Sequence, residues 1–122
     1  MLFRSGNSTF TAGTNLSLTA GTSLTANNST VIATAGSATI KANGGALSMN
    51  ASTITAKTTL TGTASGAVQL DDSTLTATTG ALTLGAAGGD LSLKSADLVA
   101  GAALTGTATA GVLLDEIGRA HV

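Results

Sequence analysis

Asp71 and Asp115 are the side chains of this 122-residue chain best placed to act as a catalytic pair. Two carboxylates can serve as acid and base in glycoside hydrolysis, and inverting enzymes hold them about 6.5–9.5 Å apart. The two aspartates share one register of an internal repeat, two coils apart. At ~4.8 Å per stacked strand, that is roughly 9–10 Å. Against a catalytic role, Asn27-Asn28 fills the preceding register, and Asn and Asp are ordinary turn residues.

Nucleophilic catalysis has less to work with, because it needs a Ser or Cys within reach of a His or Lys. The chain has no Cys, and its one histidine is His121. Lys41, Lys57 and Lys94 fall at outward or turn positions, where solubility accounts for them. "GGDLSL" at 88–93 resembles a fragment of calcium-binding nonapeptide repeats, but the second Asp and the strict period are missing. No catalytic residue, metal ligand or cofactor site is assigned, and the chain reads as non-enzymatic. "NST" at Asn7 and Asn28 and "NAS" at Asn50 match a glycosylation acceptor, as chance allows in so Asn- and Thr-rich a sequence.

A row of hydroxyls is the most specific surface feature. Flanking one set of apolar positions are the pairs Thr9/Thr11, Thr30/Ile32, Thr53/Thr55, Thr74/Thr76 and Asp97/Val99. Flanking another are Ser17/Thr19, Thr39/Lys41, Thr61/Thr63, Thr83/Gly85 and Thr105/Thr107. Stacked Thr-x-Thr rows resemble the flat faces of ice-binding β-solenoids. Thr is also simply a good outward strand residue, and Ile32, Lys41, Gly85 and Asp97 interrupt the grid.

These side chains must be positioned by a repeat. Shifting residues 6–115 by 44 aligns "NNSTVIATAGSATI" (27–40) with "DDSTLTATTGALTL" (71–84), and "LTGTA" (60–64) with "LTGTA" (104–108). There are 28 identities in 66 pairs, where the biased composition alone would give about eight. Each 44 holds two units of about 22, and each unit holds three apolar beats. The first beats are Leu16, Ala38, Leu60, Leu82 and Leu104; the second are Leu24, Leu47, Val68, Leu91 and Val112. The third are Phe10, Val31, Ile54, Leu75 and Leu98. Alternation around each beat, as in Leu91-Ser92-Leu93, marks strands, and Gly, Asn, Asp and Ala between them mark turns.

Three short strands and three turns in about 22 residues describe one coil of a single-stranded parallel β-helix, or β-solenoid, so the chain holds about five coils. The fold is all-β. A narrow coil interior explains the small aliphatic residues and the 2% aromatic content. The absence of Pro suits a backbone whose N–H groups must bond to neighbouring coils. An antiparallel sandwich tolerates the same composition but gives no reason for like residues to recur at one spacing.

Composition excludes several classes. Only 9% of residues are charged, against about 25% in ordinary soluble proteins. Mean hydropathy of +0.40 is unlike a disordered chain. Apolar runs of a few residues give no membrane-inserting helix, and a net charge of −1 offers nucleic acid nothing.

The ends differ from the middle. The closing "EIGRAHV" reads from a frame resembling a short-read sequencing adapter, and the opening "MLFRS" reads from its reverse complement. Residues 1–5 and 116–122, His121 included, are therefore set aside as adapter-derived. The repeat segment proper is 6–115. It carries Lys41, Lys57, Lys94, Asp71, Asp72, Asp90, Asp97 and Asp115, and no Arg, Glu or His.

With "GGALSMNASTITA" and "GGDLSLKSADLVA" as its units, the segment resembles the central repeats of filamentous-haemagglutinin-type adhesins, two-partner secretion exoproteins of Gram-negative bacteria. The resemblance covers 6–115 and rests on periodicity and composition. It implies a right-handed parallel β-helix, secreted or held at the outer cell surface, that serves as a stiff fibre with a host-cell or surface receptor as partner. Its immediate partners would be neighbouring coils of a longer chain. Bare coil edges on an isolated piece would invite end-to-end association.

Overall fold

The computed structural model describes residues 3–115 and 119–121, and the side chains of residues 7–112. Every regular element among them is a β-strand. The first coil carries β1 (Phe3–Gly6), β2 (Thr9–Ala12) and β3 (Leu16–Ala20). The second carries β4 (Leu24–Asn27), β5 (Thr30–Ala33) and β6 (Ala38–Ala42). The third has β7 (Leu47–Ser48), β8 (Thr53–Ala56) and β9 (Leu60–Ala64); the fourth has β10 (Val68–Gln69), β11 (Thr74–Ala77) and β12 (Leu82–Ala86). The fifth has β13 (Leu91–Lys94), β14 (Asp97–Ala100) and β15 (Leu104–Ala108), after which come β16 (Val112–Asp115) and β17 (Arg119–His121).

Each strand pairs only with its counterparts one coil away, always in parallel. The first face stacks β1, β4, β7, β10, β13 and β16; the second stacks β2, β5, β8, β11, β14 and β17; the third stacks β3, β6, β9, β12 and β15. The chain is a parallel β-solenoid of about five coils, and the sandwich alternative is excluded. Phe3–Gly6 and Arg119–His121, which overlap the segments read as adapter-derived, extend the first and second faces.

The register matches the sequence repeat residue for residue. Leu16, Ala38, Leu60, Leu82 and Leu104 pair in one column of the third face. Leu24, Leu47, Val68, Leu91 and Val112 do so on the first, and Phe10, Val31, Ile54, Leu75 and Leu98 on the second. Alternate side chains point inward, and the columns Ala12/33/56/77/100 and Ala20/42/64/86/108 stand where strands end and the chain must bend tightly. Leu24, Leu47, Leu60, Leu75, Leu82 and Leu91 are fully enclosed, each worth about 1.5–3 kcal/mol relative to exposure. In the last coil Leu104 is half-buried and Val112 is 49% exposed.

The structure also explains why the sequence repeats at 44 rather than 22. The third face steps by 22 residues at every coil. The second face, from Phe10 to Val31, Ile54, Leu75 and Leu98, steps by 21, 23, 21 and 23. The extra residues lie on both sides of the third face, in the corners 34–37 and 43–46 and again in 78–81 and 87–90. Two coil lengths alternate, so like corners recur at every second coil.

Candidate functional site: a corner ladder and two threonine faces

Asp71 lies at the corner where the first face turns into the second. The chain there leaves the strand through one residue in left-handed conformation. Asn7, Asn28, Ala51, Asp72 and Ser95 occupy that place in successive coils, with φ of 54°, 53°, 54°, 55° and 51°. Asn and Asp tolerate this region better than other non-glycine residues.

The bend interrupts the regular strand ladder, and side chains complete it. Asn27 Oδ1 accepts from the backbone N–H of Asn50 in the next coil at 3.1 Å. Asn50 Oδ1 accepts from Asp71 N–H at 3.2 Å, and Asp71 Oδ1 accepts from Lys94 N–H at 3.1 Å. Ser92 Oγ donates to the same Asp71 oxygen at 3.0 Å. The carboxylate of Asp71 therefore occupies an asparagine's place in a hydrogen-bond ladder that holds coil to coil.

A second ladder runs beside it in the opposite sense. Ser29, Ser52 and Ser73 are at most 2% exposed. Ser52 Oγ donates to the carbonyl of Ala26 in the preceding coil at 2.9 Å and accepts from Ser29 N–H at 3.1 Å. Ser73 Oγ donates to Met49 carbonyl at 2.6 Å and accepts from Ser52 N–H at 3.1 Å. These contacts satisfy polar groups that burial would otherwise leave costly. The serine column ends at Ala96, which is fully enclosed.

Of the candidate pair, then, Asp71 is committed to the ladder. Lys94 pairs with Asp115 one coil on, so the two aspartates do share a column two coils apart, with Lys94 between them. The side chains of Asp115 and His121 lie outside the described residues. Lys41, Lys57 and Lys94 are exposed, as are Asp72 and Asp90. Among the described residues no three acidic, histidine or cysteine side chains gather as a metal site.

The threonine rows stand in the predicted register. Thr9, Thr30, Thr53, Thr74 and Asp97 form one row of the second face, and Thr11, Ile32, Thr55, Thr76 and Val99 form the other. On the third face Ser17, Thr39, Thr61, Thr83 and Thr105 run beside Thr19, Lys41, Thr63, Gly85 and Thr107. Along the edge of that face the short corner at Ser65 lies between the longer corners that hold Asn43 and Ala87. An open notch of about 420 Å³ is lined there by Lys41, Asn43, Thr63, Ser65 and Ala87 among others.

Turn chemistry alone accounts for Asn27, Asn28, Asp71 and Asp72 in the sequence and does not reveal the ladders. The signal was present: Ser8, Ser29, Ser52 and Ser73 recur at coil spacing, each two places after Gly6, Asn27, Asn50 or Asp71.

Fold and site together define a β-solenoid repeat segment whose corner Asn, Asp71 and Ser side chains bond to its own backbone. Comparison with known protein families, curated proteins and solved structures finds no match.

Proposed function

We propose that this chain is a non-enzymatic structural repeat segment of a large secreted or cell-surface bacterial adhesin, giving a rigid fibre for adhesion. The observation behind this reading is the unbroken parallel register of three faces through about five coils. Backbone hydrogen bonds run along the fibre axis and a thin aliphatic core fills it, so each coil is held by its neighbours. A shape of this kind gains length at ~4.8 Å per coil without changing its cross-section.

The adhesin reading adds a Gram-negative origin, two-partner secretion, a right-handed coil, and a host-cell or surface receptor as partner. It involves neither nucleic acid nor membrane insertion. It draws support from the resemblance of the 6–115 repeats to filamentous-haemagglutinin-type repeats. The test is the gene on both sides of this segment: a secretion domain upstream and a long run of similar coils are expected. A short reading frame with neither would overturn the proposal.

The threonine rows favour one second reading, an ice-binding solenoid. Thr9, Thr30, Thr53 and Thr74 stack without interruption, as do Thr39, Thr61, Thr83 and Thr105. An ice-recrystallisation assay on a chain with capped ends separates the two, since a stalk leaves crystal growth unchanged. Capping matters because bare coil edges pair with one another.

A further inference from the structure

Asn27 and Asn50 differ from Asn43 in their surroundings, and the difference has a chemical consequence. Asn27 and Asn50 are locked in the corner ladder. Asn50 Oδ1 accepts from Asp71 N–H at 3.2 Å, its Nδ2 donates to Ser48 Oγ at 3.4 Å, and the following N–H, that of Ala51, donates to Asp71 carbonyl at 2.8 Å. Asn43 stands elsewhere. It is exposed, in the long corner 43–46 at the rim of the notch, and the residue after it is Gly44.

The fold dictates that glycine. A Cβ on Gly44 would lie 2.7 Å from the carbonyl oxygen of Gly21 in the coil below, closer than real contacts allow. The matching long corner imposes the same demand: a Cβ on Gly88 would lie 2.3 Å from Ser65 oxygen. There the preceding residue is Ala87. Only the second coil joins the obligatory glycine to an asparagine. The Gly44 N–H donates to Thr22 carbonyl at 3.3 Å, the longest of the corner-to-corner backbone bonds among the described residues.

We infer that Asn43-Gly44 is a site of spontaneous deamidation that writes a negative charge into the notch beside Lys41. The Gly44 nitrogen, unshielded by any side chain, attacks Asn43 Cγ. The new C–N bond closes a succinimide, the side-chain amide leaves as ammonia, and the Gly44 proton goes with it. Water then opens the ring at either carbonyl. One product is an ordinary aspartyl residue, and the other is an isoaspartyl linkage with an extra methylene in the backbone. No oxidant, enzyme or cofactor enters the balance. Local opening of an exposed corner supplies the motion the attack needs, and asparagine is a thermolabile residue. Either product adds one carboxylate to a notch whose only described charge is Lys41.

The full chain contains its own control. Trypsin cuts after Lys41 and Lys57, so one peptide, 42–57, carries both Asn43-Gly44 and Asn50-Ala51. After ageing the folded chain at mildly alkaline pH, fragmentation of that peptide should place the amide-to-acid mass gain at Asn43. The rate there should exceed that at Asn50 about tenfold, equivalent to about 1.4 kcal/mol of barrier. An isoaspartyl methyltransferase should label the same position. N43Q should age without the new acidic species while keeping the far-ultraviolet spectrum of the parent. Equal rates at Asn43 and Asn50, or the same acidic species from N43Q, would overturn the inference. Repeating the ageing in denaturant shows the fold's part: Asn50 should gain more speed than Asn43, and an unchanged ratio would remove the ladder's protective role.

Discussion

The third face and the corner between the first and second faces hold the same coils together by different means. On the third face Leu60 stacks between Ala38 and Leu82 and is enclosed by carbon. At the corner Ser52 and Asn50 are held by named donors and acceptors on the coils above and below. Apolar stacking is non-directional and tolerates Leu or Ala in one column of that face and Leu, Ile or Gly in the other. A hydrogen-bond ladder tolerates few residues, because each rung must offer the right atom in the right place. The face gives adhesion between coils, and the corner adds directional contacts that only one register satisfies.

The largest test of this contrast is L60A. It removes a fully enclosed side chain from the middle coil, and urea unfolding of the full chain should lose about 3 kcal/mol. L104A removes the same side chain from a half-buried place, and its cost should be less than half as large. Equal losses would mean that position along the axis does not set the energy. S52A comes next. It strips a hydroxyl that donates to Ala26 carbonyl and accepts from Ser29 N–H, leaving two buried partners unsatisfied at a cost of about 2 kcal/mol. If S52A were as mild as a surface change, the ladder would be incidental.

The two regions were unequally legible in the sequence. Apolar beats such as Leu16, Leu60 and Leu104 recur at one spacing, and hydrophobic periodicity reports strands directly. The register of all three faces follows from it. The corner carries its information in polar residues that single-sequence rules assign to turns. Asn27 and Asp71 satisfy those rules whether their side chains face water or reach the next coil. Only coordinates show that Asp71 Oδ1 meets Lys94 N–H. The alternation of coil length stood in the second and third beats, which step by 21 and 23 in turn, but which corners lengthen shows only in the strand bounds.

Backbone strain offers a finer test at the same corner. Ala51 sits at φ 54° in a column otherwise filled by Asn, Asp and Ser. Alanine gains nothing there to offset its Cβ clash, which costs about 1–2 kcal/mol. A51N should therefore stabilise the chain by about 1 kcal/mol, and A51G by less, since glycine also loosens the unfolded chain. A loss of stability in A51N would show that the third coil is not strained at this residue.

The smallest expected effect separates the ladder from chemistry. In D71N the amide keeps an oxygen where Asp71 Oδ1 now accepts from Lys94 N–H and Ser92 Oγ. The substitution also restores the residue type found at Asn27 and Asn50 in the same column. Stability should change by less than about 0.5 kcal/mol, while D71A, which removes the acceptor, should lose about 1–2 kcal/mol. A carboxylate serving as acid or base shows no such gap, because the amide abolishes turnover as fully as alanine does. Any glycan depolymerisation lost in D71N with the fold intact would assign Asp71 to catalysis and not to the ladder.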